Sequence, residues 1–279
     1  MNYMKTALLL VFLTLLLVWV GGIIGGAQGA FIAFIFSLGL NGVSYWYSDK
    51  IVLKLYNARE VSREQYARLY DIVEELAANA GIPAPKVYMT ETGMPNAFAT
   101  GRDPQNAAVC VTKGIVDLLS DDEIRGVISH EMAHIRNRDT LIMTVTAALA
   151  SAVMMIAYMA RWAAILGGFS RDRRDSGNLI ALIAISIIAP LAALLIQLAI
   201  SRSREYAADA AGAGISHAPG ALADALGKLQ EAATRRPLEV APQTAHLFIV
   251  SPLGRNFVAN LFSTHPPMEE RVKRLRSMA

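Results

Sequence analysis

Long apolar runs constrain this chain more than any other feature of its sequence. Each is close to the roughly 20 residues that an α-helix needs to cross a bilayer, and they are Thr6 to Ile24, Ala30 to Tyr47, Thr140 to Tyr158 and Leu179 to Ile200. The mean hydropathy of +0.37 is high for a soluble domain, and these runs contain most of the apolar residues that raise it. The sequence therefore predicts a mainly α integral membrane protein with four transmembrane helices.

The apolar runs divide the chain into transmembrane hairpins at 1–48 and 140–200 and polar blocks at 49–139 and 201–279. We interpret the two blocks as halves of one α+β domain. An amphipathic pattern from Ser62 to Ala80 predicts a helix that Gly81 ends. Short β-prone stretches that Gly and Pro separate predict a small sheet; they are Lys86 to Thr90, Ala97 to Thr100 and Ala108 to Thr112.

The basic residues predict the orientation of the chain in the membrane. The connector between the first two runs has no Lys or Arg, whereas five basic residues follow the second run: Lys50, Lys54, Arg59, Arg63 and Arg68. Because Lys and Arg concentrate in cytoplasmic loops, both termini and both polar blocks are expected in the cytoplasm. The Arg-rich connector between runs three and four then lies outside, against this rule. An alternative is that this pair does not fully cross.

Several classes of function are excluded or disfavoured. Cys110 is the only cysteine, which rules out an intramolecular disulfide and a cysteine-based zinc site. Since no basic run is interleaved with aromatic residues, the net charge of +3 does not indicate nucleic-acid binding. A Gly-rich phosphate loop is also missing from the sequence, so we expect no ATP site.

The segment from Ser120 to His134 predicts a metal-binding helix. Ser120 and Glu123 form a capping-box pattern at its start. His130 and His134 are four residues apart, so both imidazoles lie on one face and can bind the same ion. Zinc accepts imidazole ligands and leaves a tetrahedral position for water. Glu131, next to the first ligand, is the candidate general base.

A third metal ligand is predicted after the fourth run. Glu205 and Asp209 repeat the four-residue spacing on a predicted helix. Glu205 could complete the zinc coordination, and Asp209 could accept a hydrogen bond from the free nitrogen of His130. Such a pair alone also fits a solvated acidic face beside Arg202 and Arg204. If Glu205 is a ligand, the runs between the blocks must form a hairpin that leaves and returns on one side.

The chain resembles the HtpX family of bacterial membrane proteases, which is related to the CAAX prenyl endopeptidases. The resemblance rests on the order of the apolar runs and on four motifs: His130 to His134, Arg204 to Asp209, Met94 to Ala99 and Thr264 to Pro267. It implies a gluzincin-like zinc protease domain in the cytoplasm of a bacterial cell, anchored in the inner membrane. One Zn²⁺ on His130, His134 and Glu205 is implied, with Glu131 as general base. Misfolded membrane proteins are the implied substrates, and an oligomer or a partner membrane protease is possible.

The resemblance also implies candidate residues for substrate binding and for oxyanion stabilisation. Asn96, Ala97 and Phe98 match an edge strand on which an extended substrate could add by backbone hydrogen bonds. His265 and Arg271 could stabilise the oxyanion, although Thr264 to Pro267 is also an ordinary helix entry. Two alternative functions stay open. The chain could be a prenyl-protein processing protease, or a membrane scaffold or holdase with structural zinc.

Overall fold

The structure is a computed structural model that describes residues 2–151, 202–235, 247–249 and 266–279. The helices are α1 (Asn2–Leu55), α2 (Ala67–Ala80), α3 (Lys113–Leu118), α4 (Asp121–Arg136), α5 (Asp139–Ser151), α6 (Arg202–Ser216), α7 (Pro219–Arg235) and α8 (Met268–Arg276). The strands are β1 (Arg59–Glu60), β2 (Lys86–Thr90), β3 (Ala97–Gly101) and β4 (Ala107–Thr112), with a 3₁₀ turn at Pro104–Asn106.

Helix α1 covers Asn2–Leu55, yet the chain reverses direction at Gly26, whose φ is +60°. The amide Nδ2 of Asn41 donates to the carbonyl oxygen of Leu10 at 3.3 Å. In a straight helix these two residues would be roughly 46 Å apart, at about 1.5 Å per residue. The two halves of α1 therefore lie side by side, and the reversal falls in the Gly-rich stretch between the first two apolar runs.

One helix of the described residues is long and apolar enough to cross a membrane, Gly26–Leu55. The segments Met4–Trp19 and Asp139–Ser151 are apolar but shorter. Phe31 is 65% exposed to solvent in the isolated chain, which is expected of a side chain that faces lipid. The fourth apolar run and the end of the third lie outside the described residues, so the four-helix arrangement stays a prediction.

Helix α5 packs beside the first half of α1. Leu141, Val145 and Leu149 form one buried apolar cluster with Leu9 and Leu13. The spacing of four residues along both helices places these side chains on facing sides. The third apolar run therefore begins in contact with the first.

The sheet has four strands in the order β1-β2-β4-β3. Strand β4 pairs in parallel with β2 and antiparallel with β3, so Cys110 lies opposite both Tyr88 and Phe98. Strand β3 is consequently an edge strand. Its side chains alternate between the two faces, with Ala97 and Ala99 against the helices and Phe98 on the opposite face.

Helix α4 lies at the centre of the core, against α2, α6, α7 and β3. It is buried from Val127 to Ile135 almost without interruption. Two glycines allow close helix contacts. A Cβ on Gly126 would lie 2.8 Å from the backbone of Leu222, and a Cβ on Gly212 would lie 2.9 Å from the backbone nitrogen of His130.

The secondary structure predicted for the first polar block is largely confirmed. Helix α2 ends at Gly81 in the left-handed conformation as predicted, but it begins at Ala67 and not at Ser62. Residues 62–66 form a turn instead. Tyr66 is the N-cap residue of α2, and its side chain makes no capping hydrogen bond. All three predicted strands form. Among the residues described, the only additional strand is the two-residue β1.

Candidate metal centre

The metal-binding helix α4 starts at the predicted capping box. Ser120 Oγ accepts a hydrogen bond from the backbone N–H of Glu123, whose carboxylate accepts the N–H of Ser120 at 2.8 Å. Lys228 on α7 also donates to this carboxylate at 2.8 Å. The start of α4 is therefore tied to its own first turn and to a neighbouring helix.

Three buried side chains converge at one point between α4 and α6: His130, His134 and Glu205. The Nε2 atoms of the two histidines are 3.2 Å apart. The Glu205 oxygens lie 3.6 Å from Nε2 of His134 and 3.9 Å from Nε2 of His130. Ligands about 2.0–2.2 Å from a tetrahedral zinc ion are roughly 3.3–3.6 Å from each other. The three separations, 3.2 to 3.9 Å, lie within about 0.3 Å of that range, so these side chains can act as ligands of one zinc ion.

The charge distribution also favours a cation at this point. Burial alone would lower the pKa of His134, but the hydrogen bond to Asp139 and the nearby charge of Glu205 and Glu131 raise it to about 9. The cluster thus stabilises positive charge on an imidazole in a water-poor interior. A divalent ion that replaces this proton meets the same stabilisation, and neutral imidazole is the form that binds it.

Each histidine ligand has a carboxylate behind it. The Nδ1 atom of His130 lies 2.9 Å from Asp209, the residue predicted to accept its hydrogen bond, but that bond is not formed in this geometry and the contact is chiefly electrostatic. The Nδ1 atom of His134 bonds Asp139 at 3.1 Å. Carboxylates in this position fix the orientation of zinc-binding imidazoles.

Sequence reasoning missed Asp139. It follows His134 by five residues, a spacing that points away from the ligand on a continuous helix. The chain leaves α4 after Arg136, and Arg138 has a φ of +59°. This left-handed residue turns the chain so that Asp139, the first residue of α5, returns to the metal centre. The only sequence signal for this role was an acidic residue directly before the next apolar run.

Arg271 lies behind the metal ligands and is fully buried. Its guanidinium donates to both oxygens of Asp209, at 2.8 and 2.7 Å, and to the carbonyl oxygen of Ile249 at 3.0 Å. Although burial opposes it, the hydrogen bonds from Arg271 and the nearby imidazole of His130 lower the pKa of Asp209 to about 2. The oxyanion role of Arg271 stays a prediction, and its predicted companion His265 lies outside the described residues.

Glu131 lies beside the metal ligands with its carboxylate directed at β3. Its Oε2 accepts the backbone N–H of Ala99 at 2.8 Å. Burial raises the pKa of Glu131 above its ordinary value, although the neighbouring imidazoles partly oppose the shift. A carboxylate held between an edge strand and a metal centre is well placed to exchange protons there.

The three residues proposed for substrate binding lie at the start of β3. The backbone groups of Asn96 bond Thr112 beside β4. Because the direction of backbone groups alternates along a strand, the N–H and C=O of Ala97 point away from β4, as the N–H of Ala99 does. Phe98 lies buried on the far face of the sheet. Ala97 therefore presents the backbone groups that an added strand could bond.

An α-helix with two histidines four residues apart, an adjacent glutamate and a third ligand on a second helix defines a zinc metalloprotease. The family model described as peptidase family M48 matches residues 63–279. The chain belongs to that family.

Relatives over the whole chain agree with this assignment. The chain is 53% identical to a "Protease HtpX homolog" of Syntrophobacter fumaroxidans, with 98% of each chain covered. It is 54% identical to a protein of the same name from Thermococcus kodakarensis, covering 99% of this chain and 96% of the relative. The crystal structure of S. mikatae Ste24p shares the fold, with a TM-score of 0.52 and 17% identity over 98% of this chain and 65% of that one. The predicted family is therefore confirmed, and the chain is a membrane zinc protease with its ligands on His130, His134 and Glu205.

Proposed function

We propose that this protease is an endopeptidase that cleaves misfolded membrane proteins at the cytoplasmic face of the membrane. The observation that carries the proposal is the position of Asp139. This residue contacts the zinc ligand His134 and is also the first residue of the apolar helix α5. The metal centre therefore lies within one helical turn of a segment that enters the apolar cluster with α1.

The zinc ion, when bound, supplies a Lewis acid that polarises the scissile carbonyl and lowers the pKa of water. Glu131 is the proposed general base, which takes a proton from the attacking water and returns it to the leaving amide nitrogen. The hydrogen bond from Ala99 holds its carboxylate in place. Burial raises the pKa of Glu131 towards the range in which a carboxyl group can both accept and give a proton.

The edge strand is the proposed binding surface for the substrate. An extended polypeptide that pairs with Ala97 would use backbone hydrogen bonds, which every sequence offers. Such binding tolerates many sequences but requires an unfolded segment, because a folded one has its backbone groups already bonded. Selection for misfolded proteins follows from this requirement.

The orientation in the membrane also stays a proposal. The basic residues after the second apolar run support a cytoplasmic site. We keep the division into hairpins at 1–48 and 140–200 and polar blocks at 49–139 and 201–279, which the helical start of α5 supports. The relatives include archaeal proteins, so the cell membrane is the compartment proposed, with the bacterial inner membrane as one case.

The test uses purified protein in liposomes with two substrates. One is a single-span membrane protein with a destabilised transmembrane segment, and the other is its stable parent. Wild-type protein should cleave the destabilised substrate faster, and the Glu131→Gln variant should cleave neither. Preferential cleavage of a prenylated peptide would contradict the proposal in favour of prenyl-protein processing. Equal complementation of a null strain by Glu131→Gln would favour the scaffold alternative.

A further inference from the structure

The cleft at the metal centre is closed to a polypeptide in this structure. The cavity beside the zinc ligands has a volume of about 10 Å³, which is no more than one water molecule requires. Beside the zinc ligands, β3 and Met143, the cavity is lined by the tripeptide Leu247, Phe248 and Ile249, each at most 4% exposed. We call this tripeptide the 247–249 strap.

The strap crosses the outer edge of β3. Leu247 packs with Phe98 in the cluster on one face of the sheet. Ile249 belongs to the cluster on the opposite face, which contains Ala97 and Ala99. Since consecutive parts of the strap reach the two faces, its backbone must pass across the edge between them. That edge carries the backbone groups that a substrate strand would bond.

The hydrogen bonds that hold the strap come from side chains. Among the described residues, no backbone hydrogen bond joins the strap to β3. The backbone N–H of Ile249 donates to Oδ1 of Asn96 at 3.2 Å, and its carbonyl accepts from Arg271 at 3.0 Å. Phe248 adds a ring contact with Tyr56, with centroids 5.9 Å apart. The strap thus covers the strand without bonding the backbone of Ala97, so the N–H and C=O of Ala97 stay available to a substrate segment, whereas the N–H of Ala99 is bonded to Glu131.

The side-chain amide of Asn96 indicates that the site also has a state in which the strap has moved away. The Nδ2 atom of Asn96 is buried and has no hydrogen-bond partner among the described residues. Nearly all buried amide donors are bonded in folded proteins. A carbonyl oxygen of a bound polypeptide would satisfy this donor once Ile249 moves away.

We propose that the 247–249 strap is an autoinhibitory element that occupies the substrate position on β3, and that a polypeptide must displace it to reach the metal centre. This proposal rests on the proposed function and adds its regulation. Because the strap is apolar, displacement favours extended apolar segments, such as unfolded membrane spans, over polar ones. The closed state also protects folded neighbours from cleavage.

Peptide binding by a catalytically inactive protein tests the proposal without relying on turnover. A fluorescent apolar peptide is titrated into the Glu131→Gln variant in detergent, with and without Phe248→Ala. Loss of the Phe248 ring weakens the strap, so the peptide Kd should fall about three- to tenfold. Val116→Ala, an exposed apolar truncation on α3, is the matched control and should leave the Kd unchanged. An unchanged or higher Kd in Phe248→Ala would overturn the proposal and make the strap a fixed wall of the cleft.

A disulfide that locks the strap gives a second test if Phe248→Ala fails to fold. Asn96→Cys and Ile249→Cys are combined, with each single variant as a control. The native Cys110 is fully buried in the sheet, so its thiol is shielded from the oxidant, and the single variants control for it. The cross-linked protein should lose peptide binding at least tenfold and regain it with a reductant. Equal binding before and after reduction, with the cross-link verified by mass spectrometry, would refute displacement.

These tests separate the strap from the proposed function. If the protein cleaves no membrane protein but Phe248→Ala still tightens peptide binding, the strap proposal stands and the substrate assignment fails. If destabilised membrane proteins are cleaved but Phe248→Ala leaves the peptide Kd unchanged, the substrate assignment stands and the strap proposal fails.

Discussion

Replacing Gly212 with alanine should weaken both the fold and the zinc site. Gly212 lies on α6 at its closest approach to α4, two turns after the ligand Glu205. A Cβ at this position would lie 2.9 Å from the backbone nitrogen of His130 and 3.0 Å from its Cα. Both neighbours are backbone atoms of a buried helix, so no flexible side chain can move out of the way.

The magnitude follows from the contact distances. Ordinary van der Waals separation is about 3.5 Å or more, so the helices must separate by about 0.5 Å. Overpacking of this kind costs about 1–3 kcal/mol in the free energy of unfolding. Zinc ligands tolerate deviations of only about 0.2 Å. Because Glu205 on α6 and the histidines on α4 share one ion, we expect zinc affinity to fall roughly tenfold or more.

The control is Gly214→Ala on the same helix, where a Cβ meets nothing within 4 Å. Alanine is favoured over glycine in a helix by about 1 kcal/mol, so this variant should be slightly stabilised and bind zinc normally. The difference in stability and zinc affinity between Gly212→Ala and Gly214→Ala therefore measures the effect of the close contact between α6 and α4. Unfolding is followed by denaturant titration in detergent, and zinc affinity by competition with a chelator. Equal stability and equal zinc affinity of the two variants would refute the reasoning.

Three further predictions concern the surroundings of the site. Asp139→Asn should lower zinc affinity about 10- to 100-fold by freeing the imidazole of His134, which chelator competition measures; unchanged affinity would contradict the assigned contact. Ala99→Pro should abolish proteolysis, since it removes the N–H that holds Glu131, while metal analysis still finds zinc; retained cleavage would show that this bond is dispensable. Glu123→Gln keeps the capping hydrogen bond but removes the charge at the start of α4, which should cost about 1 kcal/mol or less of unfolding free energy at pH 7. Although burial opposes it, the bonds from Lys228 and the helix cap lower the pKa of Glu123, so its contribution is present above about pH 4.3 and is lost as the pH falls through the folded-state pKa. Thermal unfolding of both proteins from pH 3 to pH 7 measures this, and a cost that does not change with pH would exclude the ionic contribution.

The parts of the site that depend on local spacing were predictable from the sequence. The capping box and the histidine pair each lie within one or two turns of α4, so helix geometry alone determines their relation. Glu205 was predictable only in combination with the histidine pair, because its spacing from Asp209 alone also fits a solvated acidic face. The family resemblance added the edge strand at Asn96.

The parts that depend on tertiary contacts were not predictable. The parallel pairing of β2 with β4 joins segments that β3 separates in sequence. The return of Asp139 to the zinc ligands depends on one left-handed residue, Arg138. The 247–249 strap has no local pattern at all, since its position follows from contacts with Asn96 and Arg271.

The central claim is that one zinc site is assembled from two polar blocks that apolar runs separate. Zinc analysis of purified wild type, Glu205→Ala and Glu131→Gln tests it most directly. We expect one zinc per chain in wild type and in Glu131→Gln, and loss of most zinc in Glu205→Ala although both histidines remain. Full zinc content in a folded Glu205→Ala protein would contradict the third ligand and the joining of the two blocks at this site.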